Sequence, residues 1–194
     1  METKDLNNRG VNMFHMEQKD YKLEILNILN KGSDHVRSIA KKLNTNHMMI
    51  ARKLNILLNN NIVDFVREGR NKNYFLKKNT GARSYVLMAE NYKLSKILEE
   101  YPILKDIVEK IQKDKRIKLA ILFGSYAKGL AKKHSDIDIF IEIKDLKIKR
   151  EYSKLDSKLS IKIGKLGKDN LSKEIKKNHI LIKGGEKYYE SFFE

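Results

Sequence analysis

The stretch Ile117–Ile143, IKLAILFGSYAKGLAKKHSDIDIFIEI, decides the fold of the second half of the chain. It opens with an apolar run that ends abruptly at Gly124-Ser125, and it closes with a strict alternation of isoleucine and other residues. Because side chains alternate across a strand, Asp136 and Asp138 project from the face opposite the isoleucines. The pattern predicts two strands, with a turn into a helix after the first and a pair of carboxylates on the second.

The two ends of this stretch suit two different ligands. Two carboxylates this close do not both stay ionised comfortably without a cation, and Mg²⁺, or Mn²⁺ in its place, accepts a few carboxylate oxygens while leaving positions for phosphates. A strand that breaks at Gly124 and turns into a helix exposes backbone N–H groups to phosphate, and Ser125 adds a hydroxyl donor. Lys128 is a further candidate phosphate neighbour; the alternative for it is an exposed helical lysine.

The spacing of these residues resembles a known signature. Gly124-Ser125, ten residues, and then Asp136-Ile137-Asp138 resemble the motif of the nucleotidyltransferase superfamily that includes DNA polymerase beta, and residues 126–129 resemble its minimal branch. The resemblance implies that Asp136 and Asp138 are catalytic and hold the metal against a nucleoside triphosphate, with ATP the expected donor. It also implies that Gly124 and Ser125 bind the terminal phosphates and that pyrophosphate leaves.

One position departs from the family pattern. Active relatives of this family carry a third carboxylate on a neighbouring strand, where it completes a site for two metals. The next predicted strand here is Leu159–Ile163, and the position that should be acidic is Ser160. A single-metal or catalytically decayed site is therefore the alternative to an active enzyme.

The first half of the chain predicts a different domain, with the order helix, helix, turn, helix, hairpin. The predicted segments are a helix from Lys19, a helix containing Val36 to Leu43, a turn at residues 44–46, a helix from His47 to about Asn59, and strands Ile62–Arg67 and Asn73–Leu76. This order resembles the winged helix-turn-helix domains of prokaryotic DNA-binding regulators.

In that arrangement the outer face of the third helix enters the major groove of double-stranded DNA, and the hairpin meets backbone phosphates. The predicted DNA-binding residues on the helix are His47, Met48, Arg52, Lys53 and Asn55, and those on the hairpin are Arg67, Arg70 and Lys72. The alternative for this domain is a dimerisation or partner-docking module, since the same fold serves both roles.

Composition agrees with a polyanion partner. The 194 residues include 41 Lys and Arg against 25 Asp and Glu, a formal charge of +16. There is no cysteine, hence no disulfide framework or thiolate metal site, and no apolar run of membrane-spanning length or signal-peptide type. We expect a cytoplasmic protein without a membrane contact.

The expected fold class is α+β, with a winged helix-turn-helix domain followed by a small mixed-sheet nucleotidyltransferase domain with flanking helices. The predicted division is a disordered leader at 1–15, the winged helix at 16–83, a helical linker at 84–101 and the nucleotidyltransferase-like domain at 102–194. Within the linker region, residues 77–92 look transitional and a helix is predicted from Asn91 to Glu100. After the central stretch, a basic helix is predicted within residues 146–158.

Two functions follow from these patterns. The first is an enzyme that transfers a nucleotide to an unknown acceptor, a protein, RNA or small molecule, while its winged helix binds DNA. Some members of the minimal branch modify a toxin encoded beside them, so a neighbouring toxin-like protein is among the acceptors considered, and a homodimer is kept open. The second is a DNA-binding regulator whose nucleotidyltransferase domain has lost catalytic activity and instead senses a nucleotide or docks a partner.

Overall fold

The computed structural model describes residues 19–145 and 147–193, with side chains described through residue 190, so the predicted leader lies outside the described residues. The N-terminal part has six elements: α1 (Tyr21–Leu29), β1 (Asp34–His35), α2 (Val36–Lys42), α3 (His47–Asn59), β2 (Val63–Glu68) and β3 (Asn71–Leu76). The three strands pair antiparallel in the order β1-β3-β2. This is the winged helix-turn-helix arrangement, as predicted.

Local signals explain why α3 forms where it does. Asn46 accepts a hydrogen bond from the Met48 amide at 2.7 Å, which satisfies one of the free N–H groups at the helix start. Ile50, Leu54 and Leu57 then recur at helical spacing and are fully buried against the other helices. The opposite face of α3 is left to solvent.

The wing is tighter than predicted. Its strands run to Glu68 and from Asn71, so only Gly69 and Arg70 form the turn, and Lys72 lies in β3 rather than in a loop. Gly69 has a φ of +61°, which a two-residue hairpin turn favours and which glycine adopts without strain. The short strand β1 was missed because two residues carry no periodic signal.

The prediction for residues 77–92 was wrong. A single helix, α4 (Thr80–Glu100), covers most of that region and the predicted linker helix. Asn79 caps it by accepting from the Ala82 amide at 2.8 Å, and Gly81 lies in its first turn, although a glycine there looks like a break in the helical pattern. No helix in the described part of the chain is long and apolar enough to cross a membrane.

The C-terminal part is a four-stranded sheet with helices on both faces. Its elements are a 3₁₀ turn (Pro102–Leu104), α5 (Lys105–Lys113), β4 (Ala120–Phe123), α6 (Gly124–Ala127), β5 (Ile137–Ile141), α7 (Lys147–Ser153), β6 (Leu159–Ile163), α8 (Asn170–Lys177), β7 (Ile180–Lys183) and α9 (Gly185–Phe193). The strand order is β6-β5-β4-β7; β5 and β6 are parallel, and the other pairs are antiparallel. The mixed sheet confirms the predicted α+β class, and the basic helix within residues 146–158 is α7, shorter than predicted.

The apolar residues form two clusters, and α4 contributes to both. Its first half, including Ala82, Val86 and Ala89, belongs to a cluster that joins the winged-helix core to one face of the sheet. Its second half, through Leu94 and Ile97, belongs to the cluster on the other face of the sheet. The region predicted as a linker is therefore packed into both halves of the molecule, and the domain boundaries themselves stay predictions.

A buried polar cluster lies where these parts meet. Glu90 of α4 is 2% exposed, and its carboxylate accepts from the Tyr189 hydroxyl at 2.6 Å and pairs with Lys93 at 2.7 Å. His179 Nε2 lies 3.4 Å from the same carboxylate, and Asn30 of α1 donates to the Tyr189 hydroxyl. Burial acts to raise the pKa of Glu90, but the facing imidazole and ammonium outweigh it and lower the pKa to about 2.

We expect Glu90→Gln to destabilise the protein near neutral pH by about 3 kcal/mol, because the half-buried ammonium of Lys93 loses its charged partner. Since the pKa of Glu90 falls from 4.5 to about 2 on folding, the carboxylate stabilises the fold above about pH 4.5, and this contribution is lost as the pH falls toward 2. Chemical denaturation between pH 7 and pH 2 should thus show the difference between wild type and variant shrinking with acid. Glu190→Gln, the same change at an exposed residue of α9, is the control; equal effects of the two changes would contradict this account.

Candidate functional site

The Gly-Ser turn and the acid pair meet at one end of the sheet. Phe123 of β4 pairs with Asp138 of β5, so the next residue, Gly124, lies directly beside the Asp138 carboxylate. A Cβ built on Gly124 would stand 2.3 Å from Asp138 Oδ2, and the φ of Gly124 is +71°. Both the contact and the backbone conformation require glycine at this position.

The turn that follows Gly124 is stabilised by the packing of a buried tyrosine. α6 is a single helical turn, and its Tyr126 is buried, with its ring edge-on to Tyr101 at a centroid distance of 5.0 Å. Tyr101 follows the last residue of α4, so the long helix that crosses both cores also fixes the turn that carries Ser125. Ser125 itself is half-buried beside Gly124.

The two acids differ in environment. Asp136 is exposed in the loop before β5, whereas Asp138 is half-buried on the strand. Burial raises the pKa of Asp138, and the negative charges of Asp136 and Glu174 raise it further, against opposing effects of Ser160 and Lys162. The two carboxylates thus lie close enough for the charge of Asp136 to act on Asp138.

Ser160 occupies the position predicted for it. It lies on β6 directly beside Asp138 in the parallel register, and its hydroxyl forms a hydrogen bond with that carboxylate. The next residue on the same face, Lys162, is exposed and acts on Asp138 as a positive charge. In the described part of the chain, no group of three or more His, Asp or Glu side chains is placed to hold a metal ion.

Glu174 was missed by the sequence analysis. It lies on α8, and its carboxylate pairs with Lys128 Nζ at 3.0 Å. Lys128, the lysine predicted to contact phosphate, therefore forms an ion pair with α8. Helical periodicity places Glu174 on an outer face of α8, but nothing in the sequence indicates that α8 crosses the acid-bearing face of the sheet. The pair leaves Lys128 partly exposed and within reach of the Gly-Ser turn, to which α6 connects it.

These residues fit a single divalent ion. Two carboxylates plus substrate phosphates are a donor set that Mg²⁺ commonly accepts. Asp136 and Asp138 could hold such an ion, with Gly124 and Ser125 facing the phosphates. A second ion would have no carboxylate on β6.

The predicted DNA-binding residues also share one surface. His47, Met48, Arg52 and Asn55 are exposed on α3, with Lys53 half-buried beside them, and Arg67 and Arg70 are exposed on the wing. Lys72 is exposed with its ammonium 4.2 Å from the centre of the Phe65 ring. The structure places these side chains together, and their DNA-binding role stays a prediction.

Comparisons with known proteins identify a family for the C-terminal part of the chain. Residues 105–185 match the family model for polymerase beta nucleotidyltransferases. A comparison with curated proteins found no match.

Among solved structures, the chain is similar to the transcriptional repressor BigR from Xylella fastidiosa (18% identity, 35% of this chain and 67% of that one, TM-score 0.33). It is also similar to the homodimeric winged helix-turn-helix domain of Mb0332 from Mycobacterium bovis, with 27% identity over 36% of this chain and 65% of that one and a TM-score of 0.33. For AdcR from Streptococcus pyogenes the identity is 14% over 48% of this chain and 76% of that one, with a TM-score of 0.39. The chain thus spans about two thirds of the first two proteins. Because these TM-scores are low, the winged helix is recognised instead from its own element order and strand pairing. The chain therefore carries, at residues 105–185, a nucleotidyltransferase domain of the polymerase beta family, preceded by a winged helix-turn-helix domain.

Proposed function

We propose that this protein is a Mg²⁺-dependent nucleotidyltransferase that transfers a nucleoside monophosphate, from ATP as the expected donor, to an acceptor, and that its winged helix binds double-stranded DNA. The observation that carries the enzymatic half is the contact between Gly124 and the Asp138 carboxylate. Because the phosphate-binding turn and the acid pair adjoin, a single nucleotide can contact both.

Each residue then has a defined task. The Gly124 and Ser125 backbone and the Ser125 hydroxyl bind the terminal phosphates, which become the leaving pyrophosphate. Asp136 and Asp138 bind the divalent ion, which when bound neutralises charge on the reacting phosphate. Lys128 stabilises the phosphate tail after exchanging its Glu174 partner for phosphate oxygens, at little cost because the pair is solvent-exposed.

The acceptor side follows from the sheet order. An in-line displacement puts the attacking oxygen opposite the leaving group. The leaving group lies toward β4, so the acceptor enters from the β6 side, past Ser160 and Lys162. A protein acceptor, including a neighbouring toxin-like protein, an RNA and a small molecule all fit the proposal, as do a cytoplasmic location and a homodimer.

A second candidate function is favoured by Ser160. With a hydroxyl where a carboxylate would bind a further ion or take a proton from the acceptor, the site can retain nucleotide without turning it over. The chain would then be a DNA-binding regulator that senses a nucleotide or docks a partner through the same fold.

Transfer of a labelled nucleotide from ATP to an acceptor decides between the enzyme and the nucleotide sensor. We expect incubation of the full chain with α-labelled ATP, Mg²⁺ and protein or RNA acceptors to give metal-dependent labelling. Asp136→Asn should lower it by on the order of 100-fold or more, because charge stabilisation at the phosphate is lost. Asp106→Asn, an exposed acid on α5, should leave it unchanged. Nucleotide binding without labelling would reject the enzyme and support the sensor.

Alanine substitutions at two glycines test whether the Gly-Ser turn and the acid pair bind one nucleotide together. We expect Gly124→Ala to weaken binding of Mg²⁺-ATP at least tenfold and to destabilise the fold by about 2 kcal/mol more than Gly129→Ala, since overpacking adds to backbone strain. Gly129 is the matched control, because its φ is +65° and no atom lies within 4 Å of an added Cβ. Calorimetric titration and denaturant unfolding give the two readouts. Equal behaviour of both variants would contradict the role of the Gly124–Asp138 contact.

A further inference from the structure

A pocket of about 450 Å³ lies where the winged helix packs against the four-stranded sheet and its helices. Its walls include residues of α1, α4 and α6 and the residues between α8 and β7, so both halves of the chain line it. Pockets of about 300–1,000 Å³ commonly bind small organic molecules. We call this the junction pocket and define it by Asn27, Ile28, Lys31, Lys93, Ile97 and Asn178.

The junction pocket is separate from the acid pair. Ile97 and Ile180 in its wall belong to the apolar cluster on the isoleucine face of β5. Because side chains alternate along a strand, Asp138 lies on the opposite face. In the described part of the chain, neither the acid pair nor the Gly-Ser pair lines the pocket, and α6 contributes Ala127 alone. A ligand in the junction pocket therefore does not occupy the candidate nucleotidyltransferase site.

Ammonium groups outnumber carboxylates around the junction pocket. Four lysines and two glutamates line it, and one of these acids, Glu24, already pairs with Lys96 at 2.7 Å. Lys31 forms no ion pair within 4 Å among the described residues. Burial lowers the pKa of Lys93, and the positive charge of Lys31 lowers it further, against the opposing effect of Glu90. Lys31 and Lys93 therefore repel each other, and a bound anion relieves that repulsion.

The other walls suit the remaining parts of a nucleotide. The side chains of Ile28, Ile97 and Ile180 offer an apolar surface for a flat base. Asn27 and Asn178 add amide groups, which both donate to and accept from the edge of a base. The amide oxygen of Asn27 is buried without a hydrogen-bond donor among the described residues, so a ligand donor there removes a desolvation cost. A simple carboxylic acid would leave both amides unpaired.

We propose that the junction pocket binds a nucleoside monophosphate, with its phosphate on Lys31 and Lys93 and its base against Ile28 and Ile97. The inference goes beyond the proposed transfer reaction and does not depend on it. The bound nucleotide contacts α1 of the winged helix together with α4 and α6, so it stabilises the packing of the two halves of the chain. Binding therefore raises the melting temperature of the full chain.

The test is calorimetric titration of the full chain with AMP, GMP, CMP and UMP in EDTA, so that the acid pair holds no divalent ion. At least one of the four should bind, with one nucleotide per chain. Lys31→Gln should weaken this binding about tenfold, because one charge-assisted hydrogen bond to the phosphate is lost. Lys41→Gln, the same change at an exposed lysine of α2 outside the pocket, should bind like the wild type. Asp136→Asn should also retain the affinity, because the acid pair lies on the other face of the sheet.

Melting temperatures of the variants show whether each is folded. Absence of binding by all four nucleotides would overturn the proposal, and so would wild-type affinity in folded Lys31→Gln. Loss of affinity in Asp136→Asn would place the nucleotide at the acid pair instead. Inorganic phosphate that binds as tightly as the nucleotides would show an anion site without nucleotide recognition and refute the assignment. Failure of Mg²⁺-dependent labelling would overturn the enzymatic half of the proposed function and leave binding in EDTA unaffected.

Discussion

The contact between the backbone of Gly124 and the carboxylate of Asp138 is the constraint on which the candidate site depends. It exists because β4 and β5 are antiparallel neighbours, so the end of one strand lies beside the start of the other. Glycine at 124 lets the chain turn at positive φ and leaves room for the carboxylate. The Gly-Ser turn and the acid pair thereby become one candidate site, although a loop separates them in the sequence.

The two domains pack together through the long helix α4. α4 supplies side chains to the winged-helix core and to both faces of the four-stranded sheet, and its end packs on the turn that carries Ser125. The Glu90 cluster adds polar contacts that join α4 and α9 to the end of α1 and to the residue before β7. Removal of one charged partner from such a cluster costs far more than an exposed ion pair contributes. The exposed face of α3 and the acid pair thus belong to one packed unit, because the apolar cluster of the winged helix continues onto one face of the sheet.

Periodicity and motif spacing predicted the elements that matter most for the site. The strand at Leu159–Ile163, the acid-bearing strand and the turn at Gly124 follow from local patterns. The position of Ser160 beside Asp138 could be predicted from the family resemblance, because active relatives carry their third carboxylate on the neighbouring strand. The contact of Glu174 could not be predicted, since its partner Lys128 is brought to it by the position of α8. The start of α4 was misread because Gly81 looks like a break when its capping residue, Asn79, is not recognised.

The central claim is that one nucleotide and one divalent ion bind together at Gly124, Ser125, Asp136 and Asp138. Calorimetric titration of the full chain with ATP, in Mg²⁺ and then in EDTA, tests it most directly. A single ATP per chain should bind in Mg²⁺, and binding should be at least about tenfold weaker without the ion, because the carboxylates then repel the phosphates. Equal affinity in both conditions, or no binding in Mg²⁺, would contradict the account.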